Sequence, residues 1–206
     1  QMAVDWLTTN ETYFFREPAH YQWLEKSLIQ RKPQQLAVWS ADSSFGDEAY
    51  STAMLLADLQ LAGHIGPAWS VLGTDISDRV LRSATSAIYP ADRLRNVSPE
   101  RLRRYCLRGE EESQGLIQIQ DKLRQHVSFG QLNLCQDLRD VGPFDVIFLR
   151  NVLIYFDPQT KQDVIQRVLA RLRPGGMLFI GTAEGRVAAT KGLRHLAPGV
   201  YRLEKH

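Results

Sequence analysis

Four short apolar runs, over residues 36–39, 71–74, 146–149 and 177–181, are bounded by turn residues and separated by stretches of helical period, and they constrain this chain more than any other feature. Continuous runs of that length suit strands buried on both faces, so their alternation with helices predicts a mostly parallel sheet wrapped by helices. The spacing predicts helices over 48–61 and 78–87, the second with Ser77 at its N-cap, and a third opened by Asp157-Pro158. In the third, Val164, Ile165, Val168, Leu169 and Leu172 recur at helical spacing, and Pro174-Gly175-Gly176 is expected to end it. With 206 residues, 44% of them hydrophobic, there is enough chain for one well-buried core and too little for two.

The alternation breaks between the second helix and the run at 146–149. Ser98-Pro99-Glu100 opens a further helix, and residues 105–129, with Gly109, Gly115 and alternating Ile117, Ile119 and Leu123, read as two or three short antiparallel strands. The expected architecture is therefore α/β, a single domain over 1–206 with a small antiparallel β-subdomain inserted at about 105–129.

Several function classes lose their footing here. A formal charge of +2 is too small to argue for nucleic acid or membrane, and no apolar run approaches the roughly 20 residues that cross a bilayer. The start lacks the layout of a secretory signal, which favours the cytoplasm. Cys106 and Cys135 form no CxxC pair and read as buried or partly buried free thiols. His20, His64, His126, His195 and His206 have no metal-ligand spacing, so no metal is expected.

In open α/β sheets a ligand lies beyond the carboxyl ends of the strands, near the point where strand order reverses. After the first strand comes a small-residue loop, Ser40-Ala41-Asp42-Ser43-Ser44-Phe45-Gly46, whose single glycine rules out a GxGxxG dinucleotide turn. After the second comes Asp75, placed to bind ribose hydroxyls or to serve as a turn residue. Asn133-Leu134 and Arg150-Asn151-Val152-Leu153-Ile154-Tyr155-Phe156-Asp157 occupy the later strand ends. Near the amino terminus, Phe14 and Phe15 are suited to anchor a lip in the core while Asn10, Thr12 and Arg16 turn toward a ligand. A helix start capped by Thr9 or Asn10 is the plainer alternative.

Together these pieces resemble one family. Thr9-Asn10-Glu11-Thr12 with Phe14-Phe15-Arg16, Trp39-Ser40-Ala41 with Gly46-Asp47-Glu48-Ala49-Tyr50-Ser51, Thr74-Asp75-Ile76, Asn133-Leu134, the run from Arg150 to Asp157, Pro174-Gly175-Gly176 and Gly181-Thr182-Ala183-Glu184 occur in the order seen in chemotaxis-receptor glutamate methyltransferases of the CheR type. The resemblance implies a Rossmann-like methyltransferase fold and transfer of a methyl group from S-adenosylmethionine to glutamate side chains on the cytoplasmic helices of chemoreceptors. The products are a glutamyl methyl ester and S-adenosylhomocysteine.

Carried over by motif, Asn10, Thr12, Arg16, Glu48, Asp75, Asn133, Leu134, Asn151 and Val152 are the implied cofactor neighbours, and Arg16 and Tyr155 the implied catalytic pair. Asp47 adjoins Glu48, and sequence separates the two poorly. Phe45, Asp47 and Ala49 depart from the family's threonine, glutamate and proline; the Phe45 ring is expected to fold into the core. These departures keep open a methyltransferase-like module that binds cofactor and receptor with weak turnover, and action of the same fold on a small molecule or nucleic acid is a further alternative.

The family's small N-terminal helical domain has no room before Thr9 and is read as absent from this chain. The inserted β-subdomain corresponds to one that docks a receptor tail peptide in some relatives; Glu110-Glu111-Glu112 between Gly109 and Gly115 suits such a loop or a solvated turn. Arg93, Arg95, Arg101, Arg103 and Arg104 are read as a solvated helix face in preference to a receptor-facing one.

Overall fold

The structure, a computed structural model, describes residues 12–205. Thr9, Asn10 and Glu11 therefore lie outside the described residues, as does His206. In chain order the elements are α1 (Pro18–Arg31), β1 (Gln35–Ser40), α2 (Asp47–Leu61), β2 (Ala68–Asp75), α3 (Asp78–Ser86), β3 (Ile88–Pro90), α4 (Pro99–Tyr105), β4 (Cys106–Arg108), β5 (Leu116–Ile119), the one-turn α5 (Asp121–Arg124), β6 (Val127–Gln131), β7 (Phe144–Leu149), α6 (Pro158–Leu169), β8 (Leu172–Ile180), β9 (Leu193–Ala197) and β10 (Val200–Leu203).

The main sheet runs β6-β2-β1-β7-β8-β10-β9. Its first five strands are parallel, and β10 and β9 close it antiparallel. Alternate residues of each central strand feed opposite faces, as the two-residue strand period requires. Val146 and Phe148 join α1 and α2 in one apolar cluster, while Ile147 and Leu149 join α6 in the other. Strand order reverses beside β1: the chain builds outward through β2 to β6, then crosses back to β7. The carboxyl ends of β1, β2 and β7 thus flank the crevice where such sheets bind ligands.

Differences from the sequence reading sit at boundaries. The third predicted helix ends at Leu169, and Leu172 and Pro174-Gly175-Gly176 belong to β8. Leu172 satisfies the helical spacing by coincidence. The proline-glycine stretch forms a bulge instead, since Phe144 pairs with Leu172 but Val146 with Met177. A Cβ on Gly176 would stand 2.7 Å from the Asp145 carbonyl oxygen, so the bulge needs glycine there. The antiparallel unit is a three-stranded sheet, β3-β5-β4, which begins at Ile88, upstream of the expected limit. Val127–Gln131 leaves it and pairs parallel with β2 as the sheet's edge strand. Cys106 is buried, but Cys135 is exposed.

Candidate active site

A cleft opens at the carboxyl ends of the strands, lined by Thr12, Tyr13, Arg16, Asp42, Ser43, Ser44, Asp47, Glu48, Arg150 and Asn151. Its floor is the loop after β1. Ala41 N–H donates to the Phe148 carbonyl at 2.9 Å and Ser43 N–H to the Thr74 carbonyl at 2.8 Å, so the loop is stitched to both neighbouring strands. Gly46 (φ 92°) closes the loop, and a Cβ there would meet the Tyr89 hydroxyl at 2.9 Å. That hydroxyl donates to the Phe45 carbonyl at 2.6 Å. The Phe45 ring packs on the core, with the Arg93 guanidinium 5.0 Å from its centroid, and is not among the cleft-lining residues.

Of the expected lip, Asn10 lies outside the described residues. Phe14 and Phe15 are buried, Phe14 edge-on to Tyr89, while Thr12 and Arg16 line the cleft. Helix α1 starts at Pro18, downstream of the Thr9 or Asn10 cap of the plainer alternative. Thr12 donates to Asp47 Oδ2 at 3.0 Å, and Arg93 Nη2 donates to both the Thr12 hydroxyl and Asp47 Oδ2. Arg93 is thus held against the cleft-lining Thr12 and Asp47 and is not part of a solvated face. Arg101 and Arg104 pair with Asp58 at 2.8 and 2.7 Å, while Arg95, Arg103 and Arg104 are exposed, in line with the solvated reading. Tyr105 hydroxyl donates to the same carboxylate at 2.6 Å.

The two adjacent acids of α2 have separate duties. Glu48 accepts from Ser40 Oγ at 2.6 Å and from Arg150 Nε at 2.7 Å, so both its oxygens are engaged within the protein. Asp47 is 2% exposed and its Oδ1 has no partner; burial pushes its pKa up, opposed by Arg93. Ser43 Oγ is likewise buried and unpartnered on the cleft wall. Deeper acids crowd the same region. Asp42 is held well above the usual carboxylate range by burial, then by Asp75, Glu48 and Glu184. Asp75 accepts from the backbone N–H of Ser44 at 3.0 Å and of Ser77 at 2.8 Å. Ser77 occupies the N-cap of α3 without a side-chain hydrogen bond to the helix.

The loop after β7 is held by one buried carboxylate. Glu184 accepts from Leu153 N–H at 2.7 Å and Gly181 N–H at 2.9 Å, and the backbone of Asn151 and Val152 also points at it. Asn151 adopts φ 64° and lines the cleft. Val152 and Leu134 are buried in the apolar cluster around α6, and the Asn133 side chain accepts from Cys135 N–H at 2.9 Å. Tyr155, in the loop after β7, is 42% exposed and is not among the residues that line the cleft. Burial raises its pKa, with Asp42 and Glu184 adding and the Arg16 charge opposing.

Arg150 and Asp42 line the cleft, and Glu17, Arg93 and Glu184 hold residues that line it, although sequence reasoning assigned none of the five to the site. For Arg150 a signal existed: a charge directly after a fully apolar strand is rarely buried unless paired. Among the described residues no group of acids, histidines and cysteines is arranged to hold a metal, and no helix is long and apolar enough to cross a membrane.

The cleft gathers Asp42, Asp47 and Glu48 beside Arg16 and Arg150, and its buried unpartnered atoms are an acceptor, Asp47 Oδ1, and a hydroxyl, Ser43 Oγ. A ligand carrying an ammonium group supplies the donor that Asp47 Oδ1 lacks. The family profile described as CheR methyltransferase, SAM binding domain, matches residues 10–197. The chain is 40% identical over 206 residues to the chemotaxis protein methyltransferase of Escherichia coli, covering 100% of this chain and 71% of the relative. It is 39% identical to that of Salmonella typhimurium, with 100% and 70% covered, and 38% identical to chemotaxis protein methyltransferase 2 of Pseudomonas aeruginosa, with 98% and 72% covered.

Proposed function

The chain belongs to the CheR methyltransferase family, and we propose from that premise that Arg16 and Tyr155 steer a receptor glutamate carboxylate onto the methyl group of S-adenosylmethionine held in this cleft. When bound, S-adenosylmethionine supplies a methyl group made electrophilic by its sulfonium, and S-adenosylhomocysteine is left when the methyl has moved to the glutamate oxygen. Asp47 Oδ1 and Ser43 Oγ fit its ammonium and carboxylate end, and Thr12 and Asn151 line the same wall. Glu48 lines the cleft as a cofactor neighbour and also holds Arg150.

A glutamate carboxylate is already ionised near neutral pH, with a reference pKa of about 4.3, so the reaction needs no strong general base. Positioning is then the main task. Holding the attacking oxygen in line at roughly 3 to 3.5 Å is worth about 7 to 11 kcal/mol. The Arg16 guanidinium orients one carboxylate oxygen through charge-assisted bonds. The Tyr155 phenol, whose raised pKa keeps it protonated, donates to the other. The observation that carries this reading is a cleft at the strand ends that Arg16 lines together with Asp47, whose buried Oδ1 has no partner. Arg16→Ala and Tyr155→Phe are each expected to lower methyl transfer to a receptor fragment by tenfold or more while leaving the melting temperature nearly unchanged. Full turnover in both would remove them from the mechanism.

Receptor recognition extends to the antiparallel unit. Ile88, Leu107 and Leu116 are 44%, 54% and 38% exposed on its sheet, and β4 pairs only with β5, leaving one edge open. A receptor tail peptide that adds a strand to β4 would cover these side chains and satisfy that edge. Family substrates lie on cytoplasmic helices of receptors, which supports a cytoplasmic site of action for this chain.

A further inference from the structure

We infer that Arg150 is the positioning residue of the site, a buried guanidinium that fixes Arg16 relative to Tyr155; this rests on the reading that those two side chains meet at the transferred methyl. Arg150 follows β7 directly and opens the loop that carries Tyr155, while its Nη1 donates to the Arg16 carbonyl at 2.8 Å, across 134 positions of sequence. Its side chain is 2% exposed. Nε reaches Glu48 Oε2 at 2.7 Å, Nη2 reaches the Tyr21 hydroxyl at 3.3 Å, and Nη1 also stands 3.2 Å from His20 Nδ1 and 3.6 Å from Glu17 Oε2. The rings of Tyr21 and Phe148 flank it, 5.4 and 5.3 Å from the guanidinium carbon.

The need for such a clamp is visible in the backbone. Phe15 (φ 55°) and Glu17 (φ 57°) are both left-handed without being glycine, so Arg16 sits on a kink between two unfavourable residues. Such a conformation persists only where neighbours over-determine it. Here every member is tied: Phe15 N–H to Ser51 Oγ at 2.9 Å, the Arg16 carbonyl to Arg150, and Glu17 Oε1 to the N–H and hydroxyl of Thr182 at 2.9 and 2.5 Å. The kink allows Phe15 to turn into the core and Arg16, one residue later, to line the cleft. His20 is suited to its part as well. Burial, then Arg150, depress its pKa, and a neutral ring accepts from Arg150 at Nδ1 while Nε2 faces the Pro198 carbonyl at 3.1 Å.

The planar fork of arginine is what joins Glu48 to the Arg16 carbonyl; a lysine keeps the charge but has one flexible ammonium. The test is Arg150→Lys, with three measurements: kcat on a receptor fragment, S-adenosylhomocysteine affinity by calorimetry, and the ionisation midpoint of Tyr155 by NMR of ring-labelled tyrosine. The expected result is a roughly tenfold to hundredfold fall in kcat, as small misplacements produce, with affinity within about threefold of the parent. The Tyr155 midpoint is expected to rise toward that of Arg16→Ala, because the Arg16 charge has moved away. An unchanged midpoint, or an affinity loss as large as the kcat loss, overturns the assignment. If Arg150→Lys does not fold, Thr182→Val loosens the same kink from an exposed position, and a Tyr155 midpoint equal to the parent's overturns it there. Failure of the catalytic reading is distinguishable: Arg16→Ala would then keep full kcat while Arg150→Lys still shifted the Tyr155 midpoint.

Discussion

Asp42 faces the cleft among Asp75, Glu48 and Glu184, and burial together with these acids keeps its proton on well above the usual carboxylate range. The sign of the consequence is fixed by linkage. The folded state binds this proton more tightly than the unfolded chain, so stability is full below the unfolded value near 3.9 and falls as pH rises through the raised folded value. Asp42→Asn cannot ionise and escapes that loss. In the ligand-free protein its melting temperature is expected to match the parent's near pH 4 and to exceed it progressively toward pH 8. Each 1 kcal/mol gained corresponds to roughly 2 to 4 °C for a domain of this size. A constant difference across the range would show that the cluster does not hold the proton. The same scale separates Asp47 from Glu48, which share a motif: one keeps an orphaned oxygen for a ligand, the other spends both oxygens on Ser40 and Arg150. Sequence distinguished them poorly because the helix turns them toward different neighbours that are remote in the chain.

Helices α2 and α4 meet at Asp58, which accepts from Arg101, Arg104 and Tyr105, and Arg101 in turn covers the Phe15 ring at 4.6 Å. Burial raises the Asp58 pKa, but these hydrogen bonds overcome it and the net shift is downward. Its contribution is therefore present above the unfolded value and lost as pH falls through the folded one. Asp58→Asn is expected to cost about 1.5 to 3 kcal/mol in urea unfolding at pH 7, with the gap to the parent closing below about pH 4. An equal gap at pH 3 would contradict the charge-based account. Element identity was readable wherever burial was two-sided: β1, β2 and β7 carry continuous apolar runs, and Asp157 caps α6 as its sequence predicts, accepting from Gln159 and Thr160 N–H. It was misread at the sheet's margin. β6 is half exposed, so its pattern resembles a hairpin strand, and only the pairing of Val71 with Val127 puts it in the main sheet.

On the scale of the molecule, the cleft opens at the carboxyl edge of the sheet, and Tyr89 of the antiparallel unit and Arg93 just after it bond to the loop and helix that form its floor. If that unit docks a receptor tail, Leu107→Asp is expected to weaken binding of a tail peptide at least tenfold in calorimetry and to leave S-adenosylhomocysteine affinity unchanged; equal peptide affinity would reject the docking face. The α/β class, the central strands and the family were determined by sequence, because apolar period and local motif act over a few residues and need no partner. The charge pairings were decided only by the tertiary structure. Arg150 and Glu48 are 102 positions apart, and Arg93 and Asp47 46 apart. Whether such a residue is a solvated charge or a buried clamp depends on which strand ends fold beside it, since a charge leaves water only where a partner is already waiting.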